Sequence, residues 1–72
     1  MEKDIYIKLL DEGTIVYRPV PAIETGKNIY LIKGYELHDP EDENWEFLPG
    51  TEVAVIEKKI NENIVLIAVK AQ

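Results

Sequence analysis

Apolar and polar positions alternate along most of this chain. In residues 4–10, Ile5, Ile7 and Leu9 fall on one face and Tyr6, Lys8 and Leu10 on the other. A period of two with β-branched and aromatic residues predicts a strand. Asp11-Glu12-Gly13-Thr14 predicts a turn, because Gly supplies the positive φ of a tight reversal. Residues 14–18 return as a second strand, with Ile15 and Tyr17 opposed to Val16 and Arg18, so the two strands form a hairpin. Pro19-Val20-Pro21 is expected to end the second ladder, since proline brings no N–H. Residues 22–27 read as a loop or edge segment. Residues 29–33 predict a third strand, Ile29 and Leu31 facing one way and Tyr30 and Ile32 the other. Gly34 breaks or bulges it, and Tyr35 and Leu37 are candidates to continue it.

The second half reads differently. Asp39-Pro40-Glu41-Asp42 opens one short helical turn near 40–46: Asp caps, Pro suits the first helical position, and acids favour that end of the helix dipole. The turn is short because Pro49 disfavours helix at Leu48. Leu48-Pro49-Gly50-Thr51 fits a type II turn with Gly50 at positive φ. Residues 52–60 predict a fourth strand, Ile60-Asn61-Glu62-Asn63 a polar reversal, and residues 64–69 a fifth strand that is apolar on both faces.

Five short strands and no long amphipathic helix predict a single all-β domain over residues 1–72. A seven-stranded sandwich needs more chain. The fold that fits is a small five-stranded barrel of the Src-homology-3-like (SH3-like) kind, with one long loop and a last hairpin closing onto the first strand. The runner-up is an oligonucleotide/oligosaccharide-binding (OB-like) barrel. The predicted core is Ile5, Ile7, Leu9, Ile15, Tyr17, Ile29, Leu31, Phe47, Val53, Val55, Ile64, Leu66 and Ala68. Either face of the fifth strand suits the core. The other face, Val65, Ile67 and Val69 or its complement, then needs a cover. A second copy, giving a homodimer through strand 64–69, is one solution. The loop of residues 19–27 or a lid around Trp45 is another.

Composition changes this picture in two ways. The chain has no Cys, which removes disulfides and thiolate metal sites. Its net charge of -6 is unevenly placed: eight of the 14 acids, and none of the eight Lys and Arg residues, lie between Gly34 and Glu57. Such a window is either a solubilising face or a recognition face for something basic. It argues against nucleic acid, whose affinity rests on Lys and Arg at phosphates. No apolar run approaches the roughly 20 residues of a membrane span, and no basic-then-apolar leader opens the chain, so the cytoplasm is the expected compartment.

Two stretches, Asp11-Glu12-Gly13-Thr14-Ile15-Val16-Tyr17-Arg18-Pro19-Val20 and Pro40-Glu41-Asp42-Glu43-Asn44-Trp45-Glu46-Phe47-Leu48-Pro49-Gly50, resemble a pattern of short, uncharacterised bacterial proteins. The shared spacings are GT-x-V-aromatic-R-P-V and E-D-x-x-W-E-F-x-P-G. The resemblance spans most of the chain. It implies a small bacterial cytoplasmic domain and no particular activity.

Candidate chemistry is sparse. His38 is the only His, and one His among loop acids is not a zinc pattern. The acidic run lacks the spacing and central Gly of a calcium loop. Ser and Cys are absent, and Thr14, Thr25 and Thr51 lie in predicted turns, so nucleophilic catalysis has little to draw on. The expectation is a protein that is not an enzyme and has no cofactor or metal. The candidate partner-binding residues are Asp39, Glu41, Asp42 and Glu43, with Trp45 as an aromatic anchor, facing a protein with a basic surface. Trp45 reads equally well as a lid over one end of the core. The alternative function is a small nucleic-acid-binding barrel using Lys3, Lys58, Lys59 and Lys70.

Overall fold

The computed structural model describes residues 2–71. Its strands are β1 (Glu2–Leu10), β2 (Val16–Gly26), β3 (Ile29–Ile32), β4 (Asn44–Trp45), β5 (Glu52–Ile60) and β6 (Asn63–Val69). They form one mixed sheet in the order β2-β3-β5-β6-β1-β4, with β2 also paired to β1. Hydrogen bonding therefore runs in a ring through β1, β2, β3, β5 and β6. Short β4 lies outside the ring, against Leu9 and Leu10 of β1. Each ring strand pairs with the next ring strand in sequence. Five strands alternating in direction leave the last parallel to the first, and Tyr6 accordingly pairs with Ile67 in parallel.

β2 runs through Pro19-Val20-Pro21, where the sequence predicted an end. Antiparallel neighbours alternate between pairs that exchange hydrogen bonds and pairs that do not. The Lys33 N–H donates to the Pro21 carbonyl at 2.9 Å, which shows that Pro21 turns its backbone polar atoms toward β3 and away from β1. Pro19, two residues earlier, has the same orientation. β1 therefore needs no N–H from either proline. β3 pairs only with residues from Ala22 to Gly26 of β2, so it needs none either. Both prolines occupy a local edge within a paired strand.

The turns follow their residues. Asn61 (φ 49°) and Glu62 (φ 69°) make a two-residue reversal with both φ positive, the hand that suits the twist of a hairpin. In Leu48-Pro49-Gly50-Thr51 the Thr51 N–H donates to the Leu48 carbonyl at 3.1 Å and Gly50 has φ 90°, the expected type II pattern. The Gly50 N–H bonds the Ile32 carbonyl at 2.8 Å and pins this turn to the end of β3. Where a short helical turn was expected near 40–46, the chain makes a hydrogen-bonded turn at residues 40–42 and then strand β4. The Asp39 carbonyl accepts from Asp42 and Glu43 at 2.9 Å and its carboxylate from the Glu41 N–H at 3.0 Å, but the pairing of Asn44 and Trp45 with β1 draws the chain out of any helix. Gly34 ends β3. The Leu37 N–H returns to the Gly34 carbonyl, so Tyr35 and Leu37 lie exposed on a turn rather than extending the strand.

The core is built from Ile5, Ile7, Leu9, Val20, Ala22, Tyr30, Ile32, Trp45, Val53, Val55 and Ala68, with Val16, Phe47 and Leu66 packed against it. Several expected members are displaced. Ile15 lies in the loop before β2 and is exposed; Val20 and Ala22, on the face of Val16, take the inward places instead. Tyr17 is on the opposite face and half-buried. In β3 the inward face is Tyr30 and Ile32, because Tyr30 registers against buried Val53, which leaves Ile29 and Leu31 half-buried outside. A one-residue change of register exchanges the faces of a strand. In β6 the face of Leu66 and Ala68 is inward, but Ile64 on that face projects beyond the ring and is 69% exposed.

Candidate functional site

The acidic residues gather at the carboxyl end of β1. The loop after β1 brings Asp11 and Glu12 against the turn that carries Glu41, Asp42 and Glu43. Together with Leu10, Pro40 and Asn44 they line an open cleft of about 260 Å³. The Asn44 side-chain amide donates to the Asp11 carboxylate at 3.0 Å and joins the two segments. β4 makes that meeting possible, since Asn44 pairs with Leu10 and Trp45 with Leu9. Asp39, Glu41 and Asp42 are exposed, while Glu43 is partly buried.

Glu43 is held from both sides. One carboxylate oxygen accepts the Trp45 indole N–H at 3.0 Å, and the other faces the Arg18 guanidinium at 3.5 Å. Arg18 lies on the inward face of β2, opposite Ile7, at the end of the core. The pair is partly buried but long, at 3.5 Å, and its Arg18 side chain is still 35% exposed, so it contributes less than about 1 kcal/mol. Its role is geometric, since it ties the acidic turn to the sheet. Trp45 is 2% exposed and belongs to the core. His38 packs its ring on the indole, centroids 4.7 Å apart and planes inclined at 58°. The only Trp thus fills the end of the core, and its N–H positions a carboxylate of the cleft. It offers almost no surface for direct contact with a partner.

Sequence reading assigned Asp39, Glu41, Asp42 and Glu43 to one face, and the structure keeps them on one turn. It missed Asp11 and Glu12, which approach across more than thirty positions of sequence. The only local signal for them was an acidic pair before Gly13 in a turn. Among the described residues, no three carboxylates or imidazoles are placed to hold a metal ion.

The lysines of the alternative reading lie elsewhere. Lys58 and Lys59 are exposed on β5 near its turn, with Lys58 Nζ 5.8 Å from the centroid of the Tyr17 ring. Lys3, on the amino end of β1, lines a separate groove of about 440 Å³ with Asp4, Tyr6, Glu57 and residues 64–66. Lys70 follows β6. Acids therefore interrupt this set, whereas the acidic cleft has no base in its lining among the described residues and one ion pair behind it, Arg18 with Glu43. The outer face of strand 64–69 is partly covered within the one chain. Ile67, flanked by its ladder partners Tyr6 and Ile56, is 5% exposed, although Ile56 itself is 52% exposed.

Comparison of the chain with protein-family models, with curated proteins and with solved structures finds no match.

Proposed function

We propose that this chain is a non-enzymatic interaction module, an SH3-like barrel in which the ring of strands carries an acidic cleft for a basic segment of a protein partner. The observation that carries the reading is the convergence of Asp11 and Glu12 with Glu41 and Asp42 around one open cleft. Carboxylates held together repel one another, and a cationic side chain between them relieves that repulsion. The order of the ring supports the barrel assignment over the OB-like one. Its strands neighbour each other in sequence order and the last hairpin closes onto β1, whereas an OB barrel is a Greek key. Trp45 serves the cleft from behind through Glu43. The contacts to a partner fall to Asp11, Glu12, Asp39, Glu41 and Asp42. Self-association through the outer face of strand 64–69, where Val65 and Val69 are half-buried beside exposed Ile56, belongs to the same proposal as a separate surface and leaves the backbone edge of β6 free.

The only Trp lies under the cleft, so its fluorescence reports on occupancy. Titration with an oligolysine peptide is expected to change that signal, with affinity falling as salt rises, as for rim charges. Replacing Asp11, Glu41 and Asp42 with their amides is expected to abolish the response and leave the unfolding midpoint unchanged. An unaltered response in that triple variant reduces the acids to a solubility device. Micromolar binding of RNA at moderate salt, lost on replacing Lys3, Lys58, Lys59 and Lys70, decides for the nucleic-acid reading instead.

A further inference from the structure

We propose that the opening between the amino end of β1 and β6 receives an extended segment of another protein, which adds as a strand between them. The site is separate from the acidic cleft and does not depend on it. The β1–β6 ladder holds one pair, Tyr6 with Ile67. On the amino side of that pair the strands part around the groove of about 440 Å³. What the two strands present to the groove follows from their other partners. Tyr6 and Asp4 stand opposite Pro19 and Pro21, which turn away from β1, so both direct N–H and C=O away from β2. Lys8, two residues on, has the same orientation, and its carbonyl accepts the Glu46 N–H on that side.

On β6, the two-residue turn makes Ile60 and Asn63 a closing pair. The alternation that follows directs the backbone groups of Ile64 and Leu66 away from β5. Asp4 and Ile64 therefore point backbone donors and acceptors into the groove from opposite walls, and neither has a partner in the β1–β6 ladder.

The two walls differ in protection. The β1 edge carries Glu2, Lys3 and Asp4, charges of the kind that blunt an edge. The β6 edge, Asn63-Ile64-Val65-Leu66, has neither charge nor proline, and Ile64 is 69% exposed. An unpaired strand edge is a template for another backbone. The walls also select a single strand. β6 of a second copy would bring its hairpin partner β5 with it, and β1 stands where that partner would go. An entering segment that runs antiparallel to both walls adds two antiparallel ladders beside the lone parallel closure, and antiparallel pairing is the more stable kind. Its alternate side chains meet Ile64 and Leu66 on one face and Tyr6 on the other. The charged lining is one base, Lys3, and two acids, Asp4 and Glu57, so a basic residue in the segment complements it.

Amide hydrogen exchange on the full chain tests this. The ligand is a capped heptapeptide alternating valine and threonine between terminal lysines, compared with the same peptide N-methylated at every residue, so that neither edge can donate. The unmodified peptide at millimolar concentration is expected to slow exchange at Asp4 and Ile64 by about tenfold or more, and the N-methylated one to leave both unchanged. The proposal is overturned by unchanged exchange at both residues, by equal protection from the two peptides, or by perturbation confined to Asp11 and Asp42. It is also overturned if the protein alone sediments as a dimer with those amides already protected.

Discussion

Two connections of the ring solve opposite problems. Between β5 and β6 the chain reverses in two residues, Asn61 and Glu62, and the backbone does all the work through paired positive φ angles. Between β3 and β5 it travels through residues 33–51, and side chains do the work. Trp45 fills the core, Glu43 holds the Trp45 N–H and faces Arg18, Asp39 caps a turn, and Gly50 lets the path back to β5 close. The comparison separates two kinds of loop. A long connection stays ordered by inserting a large side chain as an anchor, and the polar groups around the anchor become a surface feature. A minimal connection needs no anchor, and the strand ends beside it stay bare.

Removing the anchor is the strongest way to break the comparison. Trp45→Ala is expected to destabilise the protein by about 3–5 kcal/mol, the usual cost of truncating a buried Trp, as read from chemical denaturation. A loss below about 1 kcal/mol, the scale of an ordinary surface change, shows that the long connection is held by something else.

Gly50 comes next. It has φ 90°, and a Cβ there would lie 2.5 Å from the Tyr35 hydroxyl. Gly50→Val is expected to cost about 1–3 kcal/mol through backbone strain, plus the displacement of Tyr35. Adding Tyr35→Phe to that variant separates the two parts: the strain remains and the clash with the hydroxyl is relieved. An unchanged midpoint in Gly50→Val removes the turn from the mechanism.

The smallest effect belongs to the short connection. Ile64 is apolar yet 69% exposed beside the two-residue turn, so Ile64→Thr is expected to change stability by less than about 0.5 kcal/mol. A larger loss in the denaturation midpoint shows that Ile64 is covered, and erases the contrast between the two connections.

These same regions mark where sequence was legible. The alternation in β1 named Ile5, Ile7 and Leu9 correctly, because its inward set is far more apolar than its outward one. Val53 and Val55 of β5 were also named, although Ala54, Ile56 and Ile60 leave its outward face no less apolar. In β3 both faces are apolar, Ile29 and Leu31 against Tyr30 and Ile32, and only the register with Val53 chooses between them. The turns at Asp39 and Gly50 were legible because capping and positive φ demand particular residues in particular order. β4 was not, since two residues carry no period, and its existence depends on a distant edge of β1. The acidic turn could be read locally. Its junction with Asp11 and Glu12 could not, because that contact is made by β4 and not by any neighbour in sequence.

The parallel closure of the ring has a kinetic consequence. Every other ring junction joins consecutive ring strands, and the β5–β6 hairpin is local enough to form within microseconds. Tyr6 and Ile67 meet only after almost the whole chain has been gathered, so their contact bears the loop-closure entropy and returns one ladder pair for it. The order of assembly expected from this topology is therefore hairpins first, with the seam between first and last strands sealed late.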